Sequence, residues 1–116
     1  MSYDIRELTK KVNEFRDARD WKQFHNPKDM ALSLCLEAAE VLEHFQWKNG
    51  EALNSYVASH KEELGDELSD VLFWVLQISS DLGIDIGEAF MAKLEKNAQK
   101  YPVEKSKGKA TKYTEL

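Results

Sequence analysis

Hydrophobic residues recur along most of the chain at intervals of three and four, the spacing of one face of an α-helix. The first such run predicts a helix that ends near Asp20, with Ser2 or Asp4 available to cap its start. Its apolar positions are Ile5, Leu8, Val12 and Phe15. The residues that follow, 21–25, form a connector rich in aromatic side chains.

A second helix is predicted from Asn26 to about Gln46. Asn26 is a favourable capping residue, and Pro27 fits the first turn, where its missing N–H costs no hydrogen bond. The apolar face of this helix is formed by Leu32, Leu36, Val41, Leu42 and Phe45. Residues 48–50, Lys-Asn-Gly, have the composition of a turn and separate it from the next helix.

The second half of the chain predicts two more helices. A third should run from near Ser55 to Gly83, and a fourth from Asp85, which forms a capping box with Glu88, to about Lys100. The third helix has its apolar positions at Leu64, Leu68, Val71, Leu72, Val75 and Leu76. Pro102 ends the fourth, and no segment alternates as a strand does. We therefore expect an all-α fold, a bundle of four main helices.

The length of 116 residues suits one domain, residues 1–116, with residues 102–116 as a tail that lacks a core pattern. A hydrophobic share of 42% and a charged share of 32% are those of an ordinary globular protein. A domain this small buries a limited fraction of its surface. A deep site enclosed by one copy is hard to build, which favours a site completed by a second subunit.

The charge and the cysteine usage narrow the possible partners and the compartment. The net charge is −5, and the lysines of the tail are too few for duplex binding, so we expect no nucleic-acid partner. Cys35 is the only cysteine, which favours a reducing compartment. With no apolar signal segment and no run long enough to span a bilayer, we predict a cytoplasmic protein without a membrane partner.

Two acidic pairs stand thirty residues apart in the shared pattern E-x-x-[E/D]-V-L. Glu37 and Glu40 form the first pair, and Glu67 and Asp70 form the second. Residues three apart share a helix face, and the flanking leucines and valines place both pairs at the border of the apolar stripe. If the two helices pack together, four carboxylates meet at a partly buried boundary.

Such a cluster is unfavourable unless some carboxyls are protonated or a cation lies among them. Carboxylate oxygens on rigid helices suit Mg²⁺, with Mn²⁺ as a possible substitute. The competing interpretation is that these are ordinary solvated acids, since such pairs are frequent in soluble helices. The sequence contains no E-x-x-H di-iron pair, zinc spacing, phosphate-binding glycine loop or nucleophile elbow.

These residues resemble a known family, the MazG-type all-α nucleoside triphosphate pyrophosphohydrolases, and within it the dCTP pyrophosphatase-like branch. The acidic motif is joined by W-x-x-F-H and K-Y-P-V elements, and the resemblance extends over nearly the whole chain. The matching stretches are residues 19–25 (RDWKQFH), 37–47 (EAAEVLEHFQW), 67–72 (ELSDVL), 96–97 (KN), 100–103 (KYPV) and 112–116 (KYTEL).

The resemblance implies Mg²⁺-dependent hydrolysis of nucleoside triphosphates between the α and β phosphates, as in removal of unwanted nucleotides, with dCTP-like substrates favoured. It assigns metal binding to Glu37, Glu40, Glu67 and Asp70. Glu37 or Glu40 could activate the attacking water, and the residues do not separate the two. The substrate-binding residues that we expect are Trp21, Phe24, His25, Trp47, Trp74, Lys93, Asn97, Lys100, Tyr101 and Lys112.

Several of these residues have a simpler explanation. Trp74 lies among core positions, His25 could cap the following helix, and the lysines taken singly fit solvated surface positions. Trp74 stands where the similar branch usually has a tyrosine, and Val12 replaces a histidine of some relatives. These two departures weaken any inference about hydrogen bonds to the base.

The family also assembles as dimers or as tetramers of two dimers, so we expect self-association with sites at subunit interfaces. An alternative function from another class is a non-catalytic helical interaction module with an acidic face.

Overall fold

The computed structural model describes residues 2–116, and this part of the chain is all-helical, with no strand, as the sequence predicted. The helices are α1 (Ile5–Ala18), α2 (Pro27–Phe45), α3 (Gly50–Ser59), α4 (Lys61–Asp81), α5 (Ile86–Lys100) and α6 (Val103–Ser106), with 3₁₀ turns at Lys22–Phe24 and Tyr113–Glu115. None of them is long and apolar enough to cross a bilayer.

Side chains cap three helices where the sequence suggested. The Asp4 carboxylate accepts a hydrogen bond from the Glu7 N–H at 2.8 Å, so Asp4 rather than Ser2 caps α1. Asn26 accepts from the Asp29 N–H at 2.9 Å at the start of α2. Asp85 accepts from the Glu88 N–H at 3.1 Å at the start of α5. Each bond satisfies a donor that the first helical turn leaves without a partner.

The predicted third helix was wrong as a single element, because the structure divides it at His60 into α3 and α4. α3 also begins at Gly50, five residues before the predicted start. The His60 Nδ1–H donates to the Tyr56 carbonyl at 2.9 Å, and its ring stacks on the Tyr56 ring with centroids 3.8 Å apart. These contacts satisfy a terminal carbonyl of α3 and turn the chain without glycine or proline. The described chain therefore has five helices of ten or more residues, rather than four.

The chain forms two compact units, one ending at Gly83 and the other comprising Ile84–Leu116. In the first unit α4 is central, and α1, α2 and α3 all pack against it. The second unit holds α5 and α6, so the tail that lacked a core pattern contains a short helix and a 3₁₀ turn. The prediction of a single domain over the whole chain stays a prediction.

A polar network joins α1 to α4. Arg16 is only 3% exposed, and its Nη1 donates to the two carboxylate oxygens of Asp81 at 2.8 and 2.7 Å. Its Nη2 donates to the Asn13 Oδ1 at 3.2 Å, and the buried Gln77 donates to the same oxygen at 3.0 Å. The buried guanidinium thus has a full counter-charge, which the burial of a charge requires.

The apolar interior is small. Among residues 2–116 the buried hydrophobic side chains are Met30, Leu64 and Leu76, and Leu64 is the most exposed of the three at 9%. Large apolar side chains of the same helices stay exposed, including Leu36 (65%), Leu42 (67%) and Leu68 (57%). Much of the apolar face predicted for α2 therefore lies on the surface of a single copy.

Candidate functional site

Three carboxylates converge where α2 packs on α4. Glu37 comes from α2, while Glu67 and Asp70, one helical turn apart, come from α4. One oxygen from each lies within 4.8 Å of the other two. The i, i+3 spacing brings the two α4 acids to one side of that helix, and the packing of α2 supplies the third. The sequence predicted this convergence.

The two glutamates of this cluster are partly buried, and each has an oxygen without a partner. The Oε2 atoms of Glu37 and Glu67 are inaccessible to solvent and accept no hydrogen bond. Buried polar atoms in folded proteins are normally satisfied, so such atoms require an explanation. A cation between them is one that fits their chemistry.

Glu40, the fourth predicted ligand, has an exposed side chain and lies outside the set of three converging oxygens. Its carboxyl still interacts with both Glu37 and Glu67 closely enough to raise the pKa of each. Glu40 therefore belongs to the cluster, and its role as a metal ligand stays a prediction.

The closeness of the carboxyl groups and their burial raise the pKa values of Glu37 and Glu67. Burial is the main reason that the pKa of Glu37 is raised above its ordinary value, followed by the hydrogen bond and the charge of Glu40. The pKa of Glu67 is raised chiefly by its hydrogen bond with Glu40 and then by burial, while His44 lowers it. Without a cation, the cluster holds protons at a pH where ordinary glutamates have lost them.

The donor set fits a divalent oxygen-binding ion. In octahedral coordination at the usual Mg–O distance, neighbouring ligand oxygens lie about 3.0 Å apart and opposite ones about 4.2 Å apart. Glu37, Glu67 and Asp70 already have ligand atoms within 4.8 Å of one another, so a shift of about 1 Å or less would bring them onto one ion. Carboxylate ligands alone, with room for water, favour Mg²⁺ or Mn²⁺ over softer metals.

An apolar cavity of about 520 Å³ adjoins the carboxylates. α1, the connector and α4 supply its walls, and Asp70 belongs both to the cavity wall and to the acidic cluster. The lining is mainly aromatic and aliphatic: Leu8, Val12, Phe15, Trp21, Leu72, Phe73, Trp74 and Leu76, with Lys11, Ser69 and Asp70 as its polar members. This volume is typical of small-molecule sites.

The structure divides the predicted substrate residues of the first unit. Trp21 and Trp74 line the cavity. His25 packs its ring edge-on to Trp74 at 5.2 Å but lines a different, more polar cleft beside Arg16. Phe24 is 66% exposed and Trp47 is 90% exposed, and neither lines the cavity.

His25 has an environment unlike that of an exposed histidine. Burial is the first cause that lowers its pKa, and the neighbouring Arg16 is the second, while Asp81 opposes them. Its Nδ1 is buried without a partner. The surroundings of His25, beside the Arg16–Asp81 pair, therefore favour the neutral form of its ring.

Trp47 follows the C-terminal cap of α2 with a φ of +67°, in the left-handed region that favours glycine. An unsupported tryptophan in this conformation costs about 1–2 kcal/mol. Its exposed ring makes little contact within a single copy that could offset this cost.

The remaining predicted substrate residues belong to the second unit: Lys93, Asn97, Lys100, Tyr101 and Lys112. Within that unit the Tyr101 and Tyr113 rings meet edge-to-face at 5.9 Å. The Lys100 ammonium lies 4.8 Å from the centre of the Tyr113 ring. Tyr113 therefore contacts the C-terminal end of α5 through Lys100 and the adjoining Tyr101. The substrate roles of these residues stay predictions.

Sequence reasoning missed two residues next to the cluster, His44 on α2 and Tyr56 on α3. The His44 Nδ1 lies 2.6 Å from the Tyr56 hydroxyl, and its Nε2 lies 3.7 Å from the Glu67 Oε1. His44 is four residues after Glu40, and this helical spacing was the signal that could have found it. Nothing in the sequence pattern marked Tyr56.

Comparisons with known proteins find a matching family model and several similar proteins. The model of the MazG-like family matches residues 32–116. The proteins named dCTP pyrophosphatase 1 from Bos taurus and Mus musculus are 39% and 40% identical over 115 residues. That match covers 97% of this chain and 66% of each relative, so the chain spans just under two thirds of the length of these relatives.

A solved structure is similar as well. The crystal structure of a pyrophosphatase from Archaeoglobus fulgidus superimposes with a TM-score of 0.80 and 37% sequence identity. The superposition covers 88% of this chain and 95% of that one.

Proposed function

The chain belongs to the MazG-like family, as its motifs indicated, and on that premise we propose that it is a nucleoside triphosphate pyrophosphohydrolase. It converts a (deoxy)nucleoside triphosphate to the monophosphate and pyrophosphate, with dCTP-like substrates favoured. The observation that carries this proposal is the carboxylate cluster beside an aromatic cavity, with Asp70 common to both. A charged triphosphate and an apolar base need such neighbouring environments.

Glu37, Glu67 and Asp70 would hold a divalent cation, Mg²⁺ with Mn²⁺ as a substitute. When bound, the ion supplies charge neutralisation to the triphosphate and to the departing pyrophosphate. The unpartnered Oε2 atoms of Glu37 and Glu67 support these two residues as ligands.

A carboxylate of the cluster accepts a proton from the attacking water. The water oxygen bonds to the α-phosphorus, the bond to the bridging oxygen breaks, and pyrophosphate leaves. Glu37 and Glu40 are both candidates for the proton acceptor. We favour Glu40, because it raises the pKa values of Glu37 and Glu67 while staying outside the three converging oxygens. A carboxylate bound to a metal would be a weaker base.

The cavity binds the base and sugar. Trp21 and Trp74 present aromatic surfaces on which a base can stack, a contact worth about 1–3 kcal/mol in single-strand binders. Val12 contributes an apolar surface without a hydrogen-bonding group. Shape and stacking therefore contribute more to base selection here than a network of side-chain hydrogen bonds.

The protein works as a homodimer or a homotetramer. A single copy buries few apolar side chains and exposes leucines on α2 and α4, which a second copy would cover. The exposed Trp47 is suited to complete a neighbouring copy's site, since it is available at the surface and close in sequence to the cluster. The free, exposed Cys35 suits a reducing compartment, and the cytoplasm is the location that we propose.

The test is an assay of the purified protein with Mg²⁺ and a panel of nucleoside triphosphates, with separate detection of pyrophosphate and orthophosphate. We expect pyrophosphate and the monophosphate. Glu40→Gln and Asp70→Asn should abolish turnover, whereas Glu43→Gln, an exposed acid one turn from Glu40, should not. Orthophosphate without pyrophosphate, or full activity in both site variants, would contradict the proposal.

The alternative, a non-catalytic helical module, is separated by thermal melting. A ligand that binds the folded state raises the melting temperature. The enzyme should melt higher with Mg²⁺ and a non-hydrolysable triphosphate, while the module predicts no shift and no product.

A further inference from the structure

Side chains from three helices form a chain of contacts that ends on the carboxylate cluster. Tyr56 of α3 and His44 of α2 are joined by a short contact of 2.6 Å between the hydroxyl and Nδ1. The other ring nitrogen of His44, Nε2, faces the Glu67 Oε1 of α4 at 3.7 Å. The side chains of His44 and Glu67 are 18% and 25% exposed, so the contact is largely shielded from water.

The chemistry of the three groups determines which atom donates and which accepts in each contact. If the Tyr56 hydroxyl donates to Nδ1, a neutral His44 carries its proton on Nε2 and presents it to the Glu67 carboxylate. The opposite tautomer would turn a lone pair toward a carboxylate, which is unfavourable. At 3.7 Å the Nε2–Glu67 contact is longer than a hydrogen bond, and closing it by about 0.8 Å would make one.

Tyr56 is itself fixed in place. Its ring stacks on His60 with an interplanar angle of 10°, and its carbonyl accepts the hydrogen bond from the same histidine. The Lys48 ammonium lies 4.3 Å from the centre of its ring. The phenol ring is thus oriented by two contacts, with His60 and Lys48, that do not involve its hydroxyl, which leaves the hydroxyl available to His44.

We propose that Tyr56 and His44 are positioning residues that orient Glu67 for metal binding. Once the 3.7 Å contact closes, the His44 Nε2–H holds the Glu67 Oε1, so that the other oxygen, the buried and unpartnered Oε2, faces the cation site. Metal-binding carboxylates commonly have such second partners, and the loss of one lowers metal affinity or activity by about 10–100-fold. This inference rests on the proposed function, since it requires that Glu67 be a ligand.

The test measures Mn²⁺ binding by electron paramagnetic resonance without nucleotide, together with melting temperatures in EDTA. Tyr56→Phe removes only the hydroxyl, and His44→Leu removes both ring nitrogens. We expect each to weaken Mn²⁺ binding by about tenfold. Tyr56→Phe in the His44→Leu background should have no further effect, because the tyrosine acts through the histidine.

Two further variants separate positioning from folding. His44→Gln returns an N–H near the Nε2 position and should recover part of the lost affinity. Tyr3→Phe, the same change on an exposed tyrosine, should bind Mn²⁺ as the wild type does. A purely structural link between α2 and α3 would instead lower the melting temperature in EDTA without changing Mn²⁺ affinity.

The outcomes are distinguishable. If the wild type binds Mn²⁺ and both Tyr56→Phe and His44→Leu bind it with the same affinity, the positioning role alone is overturned. Absence of Mn²⁺ binding in the wild type, with and without a non-hydrolysable triphosphate, would overturn the metal site and with it this inference.

Discussion

Asp81 neutralises a guanidinium that solvent hardly reaches, and its removal should cost the protein much of its stability. The Arg16 and Asp81 side chains are 4% and 17% exposed. Asp81→Ala removes the acceptor of two bonds of 2.7 and 2.8 Å and leaves Arg16 with the Asn13 Oδ1 at 3.2 Å and the Asp17 carboxylate at 3.4 Å. Removing one partner of a buried pair costs about 3–5 kcal/mol. Because Arg16 keeps these two weaker contacts, we expect the free energy of unfolding to fall by about 3 kcal/mol, the lower end of this range.

Urea denaturation at one fixed protein concentration measures this loss, because association would otherwise shift the apparent stability. In thermal melting, about 3 kcal/mol corresponds to a fall of about 10 °C or more for a domain of this size. Glu14→Gln is the matched control, since its pair with Lys10 is 3.9 Å long and lies on the exposed side of α1. Such surface pairs contribute about 0.5 kcal/mol. Equal effects of Asp81→Ala and Glu14→Gln would refute the reasoning from burial.

Further outcomes follow from the site. Because the pKa values of Glu37 and Glu67 are raised above 4.5, the metal-free folded state holds protons that the unfolded chain has released. As the pH rises above 4.5, the melting temperature of the metal-free protein should therefore fall relative to that of a Glu37→Gln/Glu67→Gln variant. Mg²⁺ should remove this difference between the two proteins. A rise of the wild-type melting temperature relative to the variant would count against the reasoning. Trp74→Leu should raise KM about tenfold through lost stacking, and an unchanged KM would place the base elsewhere. Trp47→Gly should leave the free energy of unfolding unchanged or raise it by up to about 1 kcal/mol, because glycine tolerates a positive φ. The nucleotide affinity of this variant, measured by calorimetry, should fall, and an unchanged affinity would remove Trp47 from the site.

The starts of α1, α2 and α5 were predictable because their causes are local, whereas the starts of α3 and α4 were not predicted. The capping side chains Asp4, Asn26 and Asp85 bond to backbone groups three residues away, so the short segment contains all that is needed. The break at His60 was not predictable from such rules. It depends on contacts of the His60 ring with Tyr56 that no glycine or proline announces.

The acidic cluster was predictable for a different reason. Spacing on one helix placed Glu67 beside Asp70, and the repeated E-x-x-[E/D]-V-L pattern suggested that Glu37 faces them from another helix. The burial of Arg16 and Gln77 was not predicted, because a helical pattern assigns charged and amide side chains to solvent. Their burial depends on partners more than sixty residues away in the sequence.

The residues that surround the cluster were only partly found. The family resemblance pointed to Trp21 and Trp74, which line the cavity. It also pointed to Phe24, which is exposed and whose substrate role stays a prediction. His44 and Tyr56 were missed because their relation to Glu67 requires three helices to be in place. Local spacing alone cannot supply the mutual placement of three segments.

The walls of the cavity differ in how freely they can vary. α4 contributes Asp70 together with its aromatic residues, so remodelling that wall disturbs the carboxylates at the same time. α1 contributes Leu8, Lys11, Val12 and Phe15 and none of the converging acids. If the cavity binds the base as we propose, substitutions on α1 would change the preference for one nucleobase over another without altering the converging carboxylates, so this helix is where specificity would be engineered first.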